Sequence, residues 1–141
     1  MLASWTANGD PATVRFGGTA VYKTAFEAPE ACVGKPLILD LGRVEVSARV
    51  RLNGAEVGHA ILMPYRVLLP HGVAAGKNEL DVEVTNLGAN RIRDLDERQV
   101  PWRIFQDINF VDIRYKGFDA RQWPVQNSGL LGPVRLVAIK P

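Results

Sequence analysis

The class of fold is decided by residues 44–54, which read VEVSARVRLNG. Apolar residues occupy every second position of this run, and the positions between them are mostly polar, as in a strand with one buried face. The Asn53-Gly54 pair at its end is the dipeptide that best tolerates the two positive φ angles of a type I′ turn. The sequence therefore predicts a β-hairpin in which 44–52 pairs antiparallel with 55–61.

The same alternation predicts further strands along the chain. It is clear at 37–41 and 80–84, and weaker at 19–27, 64–69, 108–115 and 133–139. Gly and Pro residues interrupt the chain so often that the long crossover helices of a parallel sheet do not fit. The predicted fold class is therefore all-β, an antiparallel two-sheet sandwich. The inward side chains that we expect to be nearly fully buried are Val46, Val50, Leu80, Val82 and Val84.

Composition limits the classes of function. The 17 basic and 15 acidic residues give a net charge of only +2, without a run of like charges, so nucleic acid is not an expected partner. No apolar stretch approaches the roughly 18 residues that span a bilayer, so a membrane is not expected either. Cys32 is the one cysteine, and with His59 and His71 it gives no zinc-site spacing. We expect no metal site and no cofactor.

The length of 141 residues is that of one domain, and we expect 1–141 to form a single β-sandwich. Within it, 1–16 is an N-terminal tail and 90–129 is a long insert, rich in aromatic and charged residues. A connection of this length is usually functional or disordered, and its aromatic content favours function. An indole can stack on a sugar ring while polar neighbours bind the hydroxyls. The candidate carbohydrate-binding residues are Trp123, Trp102, Asn90, Arg91, Asp94 and Tyr115.

Each candidate also has a structural interpretation. Either tryptophan could close one end of the core, and Trp123, between Gln122 and Pro124, is expected to be the more exposed of the two. Trp5 is expected to anchor the N-terminal tail. The carboxylates of 94–97 are expected to face solvent or to pair with neighbouring arginines rather than to form a catalytic dyad. No serine or cysteine lies in a nucleophile motif, so no catalytic residue is assigned.

A series of short motifs follows one order along the chain. They are GTAVY at 18–22, LDLGRV at 39–44, ARVRLNG at 48–54, PYR at 64–66, GKN at 76–78, VTN at 84–86, NR at 90–91 and SGLLGPV at 128–134. Together they resemble the sugar-binding-type β-sandwich domain of family 2 glycoside hydrolases, and most closely the version at the C-terminus of family 106 α-L-rhamnosidases.

This resemblance implies a galactose-binding-domain-like jelly roll that accompanies a separate catalytic domain. The implied function is that of a non-catalytic accessory domain of a glycoside hydrolase. Its implied partners are carbohydrate and the catalytic domain of a parent glycosidase, and its implied location is periplasmic or secreted. The alternative is an independent carbohydrate-binding module or lectin, and a small enzyme in its own right is a third possibility. Sugar binding or turnover by the isolated chain would separate these.

Overall fold

The structure is a computed structural model, and it describes residues 2–102 and 117–139. The strands in these ranges are β1 (Thr19–Glu27), β2 (Leu37–Asp40), β3 (Arg43–Glu45), β4 (Ser47–Leu52), β5 (Ala55–Ala60), β6 (Arg66–Leu69), β7 (Lys77–Thr85), β8 (Gly129–Gly132) and β9 (Arg135–Ala138). The helices are α1 (Pro11–Val14) and α2 (Ala89–Glu97), with 3₁₀ turns at Trp5–Asn8 and Glu30–Cys32. None of these helices is long and apolar enough to cross a membrane.

The strands form antiparallel sheets. One sheet has four strands in the order β1-β7-β4-β5, a second has three in the order β6-β2-β9, and β3 pairs with β8. The prediction of an all-β antiparallel sandwich is therefore confirmed. The strand that the sequence predicts at 108–115 lies outside the described residues.

The inner faces of the sheets share one apolar core. Its largest fully buried apolar side chains are Leu37, Leu41, Val44, Val50, Val82 and Val84. Four of the five residues expected to be inward are buried, but the prediction for Val46 is wrong, because its side chain is only partly buried. The expected strand 44–52 is divided at this residue: β3 pairs with β8, whereas β4 pairs with β5 and β7. Val46 lies at the junction where the chain changes sheets.

The hairpin is confirmed between β4 and β5. Asn53 and Gly54 have φ angles of 52° and 80°, the two positive values that a type I′ turn needs. The Asn53 side-chain carbonyl also accepts a hydrogen bond from the backbone N–H of Glu79 at 2.8 Å. The turn is thereby tied to β7 as well as to its own two strands.

The N-terminal segment 2–16 packs against the sandwich. The backbone N–H of Trp5 donates to the carbonyl of Ser128 at 3.1 Å. The Trp5 ring meets Phe16 edge to face, with ring centroids 5.5 Å apart. The expectation that Trp5 anchors this segment is confirmed by these contacts.

Helix α2 opens the segment 90–129, for which the sequence suggested no helix. Its residues are mostly polar, and its turns are linked by ion pairs between residues four apart, Arg93 with Glu97 at 2.6 Å and Asp94 with Arg98 at 2.7 Å. Such pairs stabilise a helix whose apolar stripe is short, here Ala89, Ile92 and Leu95. The carboxylates expected to lie on a solvated loop therefore lie on a helix, where arginines pair with them.

Candidate functional site

A buried cluster of polar side chains joins α2 to the sandwich. Asn86, Asn90 and Ser128 are 9%, 3% and 1% exposed. The Asn86 amide donates to Ser128 Oγ at 2.9 Å and to the backbone carbonyl of Phe16 at 2.9 Å. The amide carbonyl of Asn86 accepts from the backbone N–H of Gly18 at 2.8 Å. Three distant parts of the chain thus meet at one hydrogen-bonded centre.

Asn90 serves this cluster as a backbone clamp. Its side-chain carbonyl accepts from the N–H of Gln126, and its amide donates to the carbonyl of Gln126, both at 2.8 Å. Because Asn90 is buried and both its side-chain carbonyl and its amide are hydrogen-bonded to the backbone, it has no group left to bind a sugar hydroxyl. Asn90 is therefore placed as the residue that holds the loop 124–128 against α2.

Asp94 lies at the centre of an arginine cluster on the exposed side of α2. Arg98 donates two hydrogen bonds to its carboxylate at 3.0 and 2.7 Å, and the nitrogens of Arg91 and Arg15 lie 3.5 and 4.0 Å from it. The hydrogen bonds from Arg98, supported by the charges of all three arginines, lower the pKa of Asp94 below its ordinary value. Asp94 is thus an anionic hub and Arg91 is one of its partners.

Three aromatic rings form an aromatic cluster beside α2. The cluster consists of Trp102, Phe118 and Trp123, and Phe118 is its middle member. Its ring centroid lies 6.2 Å from that of Trp102 and 5.3 Å from that of Trp123, both edge to face. Trp123 is 39% exposed whereas Trp102 is half-buried, which confirms the expected order of exposure. The sequence did not single out Phe118, since its role depends on a contact with both tryptophans.

The Asp96 carboxylate holds the aromatic cluster in place through two hydrogen bonds. One of its carboxylate oxygens accepts from the indole Nε1–H of Trp102 at 2.7 Å, and the other accepts from the backbone N–H of Ala120 at 2.8 Å. These two bonds fix the Trp102 ring relative to the segment after Phe118. The indole–carboxylate bond joins residues six apart, and no local motif predicts it.

A cavity of about 480 Å³ opens next to the cluster. Trp102 and Phe118 form its aromatic wall, and Gln99, Asp119 and Arg121 supply polar groups. Arg121 and Asp119 are joined by hydrogen bonds from the guanidinium at 2.6 to 3.0 Å, which raise the pKa of Arg121. The cavity thus has an aromatic wall and a polar rim in which Arg121 and Asp119 bind each other.

The structure therefore divides the predicted site residues into separate groups. Trp102 and Trp123 lie together in the aromatic cluster, Asn90 is buried in the polar cluster with Asn86 and Ser128, and Arg91 and Asp94 belong to the arginine cluster. Tyr115 lies outside the described residues. In the ranges 2–102 and 117–139, no group of three or more His, Cys, Asp or Glu side chains could hold a metal ion.

Comparison with known proteins gives two relatives that match almost the whole chain. No family model matches. The "Putative beta-glucuronidase" of Formosa agariphila is 40% identical over 96% of this chain, which corresponds to 13% of that protein. The rhamnosidase from Novosphingobium sp. PP1Y is 33% identical, with a TM-score of 0.73 over 96% of this chain and 12% of its own.

A further solved structure matches part of the chain. The beta-glucuronidase of Lactobacillus rhamnosus is 27% identical, with a TM-score of 0.54 over 60% of this chain and 15% of its own. All three proteins are glycoside hydrolases, and the chain is similar to a small part of each. It spans about an eighth of the length of the two relatives that match it most fully. The fold and these similarities therefore show a β-sandwich that is similar to a small part of large glycosidases.

Proposed function

We propose that the chain is a non-catalytic accessory domain of a glycoside hydrolase, similar to the corresponding part of α-L-rhamnosidases, and that it supports the catalytic domain. The observation that carries this proposal is the pair of relatives that match 96% of the chain, because both are glycosidases about eight times its length. A unit that recurs as a small part of large enzymes is expected to act with the rest of them.

The pairing of the carboxylates supports a non-catalytic role. Hydrolysis of a glycoside needs two carboxyl groups facing each other across the sugar, and one of them must be able to donate a proton. On α2, Asp94 is held anionic by arginines, Asp96 braces Trp102, and Glu97 pairs with Arg93. These carboxylates accept hydrogen bonds in contacts that stabilise the structure, which supports a non-catalytic role for them.

Exchange of domains with a relative tests the proposal. In a hybrid enzyme, this chain replaces the matching 12% of the Novosphingobium rhamnosidase. We expect the hybrid to be soluble and to cleave an aryl α-L-rhamnoside, whereas the rhamnosidase with the segment deleted should lose soluble activity. A deletion variant that keeps full activity, or a hybrid that behaves like the deletion variant, would contradict the proposal.

The alternative is an independent carbohydrate-binding module, and the aromatic cluster with its cavity favours it. A pyranose ring could lie against the exposed face of Trp123 or enter the cavity beside Trp102. In an accessory domain the same surface could contact carbohydrate held by the catalytic domain. The two functions differ in whether the chain binds a sugar by itself.

Calorimetric titration of the isolated chain with L-rhamnose, D-glucuronate and oligosaccharides that contain them distinguishes these functions. Trp123→Ala should lower the unfolding temperature less than Trp102→Ala does and should weaken any sugar binding, because its ring is the more exposed of the two and contacts Phe118. Trp102→Ala should lose about 3 kcal/mol of stability, since its ring is packed and hydrogen-bonded. Binding by the isolated chain that Trp123→Ala abolishes would favour the independent module. If neither variant changes sugar binding, the sugar does not bind at the aromatic cluster.

A further inference from the structure

The outer face of the four-stranded sheet is polar. Lys23 pairs with Asp81 at 3.3 Å, and Arg49 with Glu83 at 3.6 Å. Hydroxyl and further charged groups continue this pattern along the same strands, at Thr19, Thr85, Ser47 and Arg51. Val21 and Ile61 are exposed apolar side chains beside these polar groups. A face of this composition is the solvated side of an antiparallel sheet.

The outer face of the three-stranded sheet differs from this. Ile38 on the central strand β2 lies opposite Leu68 on β6 and Val137 on β9, so the three side chains form one apolar row across the sheet. Leu68 and Val137 are 56% and 41% exposed. Exposed apolar residues are common singly, but a row across a whole sheet indicates a surface that another protein surface covers.

A charged row lies beside the apolar row. Asp40 on β2 is opposite Arg66 and Arg135 on the two neighbouring strands. Arg66 donates to Asp40 at 2.7 Å, and one carboxylate between two guanidinium groups leaves this row with a net positive charge. A surface that covers the apolar row would be stabilised by a carboxylate placed near Arg135.

We propose that the apolar row is the docking surface for the remaining polypeptide of the parent glycosidase, which presents apolar side chains to Leu68, Ile38 and Val137 and a carboxylate to Arg135. This inference rests on the proposed function, because seven-eighths of each full-length relative lies outside the matching segment and must contact it somewhere. Of the two outer sheet faces, that of the three-stranded sheet carries the continuous apolar row and is the one better suited to burial.

Two matched substitutions test the docking surface. Val137→Asp places a carboxylate in the apolar row, and Val21→Asp makes the same change at a similarly exposed strand position on the polar face. In the isolated chain, both variants should stay folded and unfold at a somewhat lower temperature than the wild type, because both side chains point outward but aspartate is disfavoured in a strand and Val21 lies opposite Glu83. In the rhamnosidase hybrid, Val137→Asp should lower the yield of soluble activity more than about tenfold, since it places a charge in a contact that is otherwise apolar, while Val21→Asp should not.

The outcomes separate the docking surface from the proposed function. If the wild-type hybrid is active and Val137→Asp retains its activity as Val21→Asp does, the docking surface is wrong and the accessory function stands. If the wild-type hybrid is inactive, both fail together. Sedimentation of the isolated chain measures its oligomeric state. If the chain forms a stable dimer that Val137→Asp dissociates and Val21→Asp does not, the apolar row binds a second copy of the chain and the docking proposal is wrong.

Discussion

At the scale of single residues, Asn90 and Asp94 lie one turn apart on α2 and have different roles. Asn90 is buried and clamps the backbone of Gln126, whereas Asp94 faces the arginines at the surface. The two side chains therefore contribute to stability through different physics, one by satisfying buried backbone groups and the other by charge. Substitution at each should show this difference.

Asn90→Ala is expected to lower the free energy of unfolding by about 2 kcal/mol. The substitution removes both hydrogen bonds to the backbone of Gln126 and leaves a gap where the buried Asn90 amide was. Arg91→Ala, at the adjacent exposed position, serves as the control and should change stability by less than about 0.5 kcal/mol. Urea unfolding followed by circular dichroism measures both. Equal effects of the two variants would mean that the clamp contributes nothing.

Asp94→Asn should lower stability at neutral pH by about 1 kcal/mol, and this loss should depend on pH. The pKa of Asp94 is lowered in the folded chain by its hydrogen bonds with Arg98. Its stabilising effect is therefore complete above the ordinary aspartate value of 3.8 and disappears as the pH falls through the lower pKa of the folded state. The wild-type and variant stabilities should converge in acid.

Urea unfolding at a series of pH values from neutral to strongly acidic measures this convergence. Asp40 is a suitable internal reference, because its pKa is also lowered, first by the backbone N–H of Gly42 and then by Arg66. Both variant and wild type should therefore lose the Asp40 contribution in acid, and only the wild type should lose the Asp94 contribution as well. A difference between them that stays constant across the whole series would refute the electrostatic role of Asp94.

At the scale of elements, the β4–β5 hairpin depends on the backbone conformation of its turn. Gly54 has a φ of 80°, and no atom lies within 4 Å of the position that a Cβ would take. Gly54→Ala should therefore cost about 1 to 2 kcal/mol through backbone strain alone. Gly88→Ala is the matched control, because that site is equally open and its φ of −72° suits alanine.

Thermal unfolding of the two glycine variants gives the comparison. We expect Gly88→Ala to be neutral or slightly stabilising, since alanine reduces the freedom of the unfolded chain. If both variants unfold at the same temperature, the positive φ at Gly54 is not what specifies the turn.

The hairpin could be predicted from sequence because its determinants are local, a two-residue turn and an alternating run beside it. The division of the run at Val46 could not be predicted, because the period of two is the same whether a strand continues in one sheet or passes to another.

Helix α2 was not predicted for a related reason. Its apolar stripe is short, with only Ala89, Ile92 and Leu95 at helical spacing among charged residues, and its one buried side chain is the polar Asn90.

The candidate site could likewise be predicted only in part from the sequence. Tryptophans in a polar setting are visible in the sequence, and the greater exposure of Trp123 followed from its flanking residues. The contacts that surround the candidate residues join positions far apart in the sequence, such as Asn90 with Gln126 and Asp94 with Arg15. Only the folded chain brings these together, so sequence reasoning could name candidate residues without separating ligand contacts from structural ones.

At the scale of the whole molecule, three segments meet at one side of the sandwich. The N-terminal segment reaches Ser128 through Trp5, β7 reaches it through Asn86, and α2 holds the adjacent loop through Asn90. The aromatic cluster is built on this connected base, whereas the apolar row lies on the outer face of the three-stranded sheet. The aromatic cluster and the apolar row are therefore distinct surfaces of the chain, so a sugar and a protein surface could occupy them independently.

We expect the isolated chain to hydrolyse neither aryl α-L-rhamnosides nor aryl β-glucuronides, because the α2 carboxylates Asp94, Asp96 and Glu97 are engaged with arginines, an indole and a backbone N–H. Release of the aryl group, followed over hours at high protein concentration, measures any turnover. Asp96→Asn provides the control for a hidden catalytic acid, and it conserves the shape that supports Trp102. Activity that copurifies with the chain and disappears in this variant would show that the chain is an enzyme in its own right.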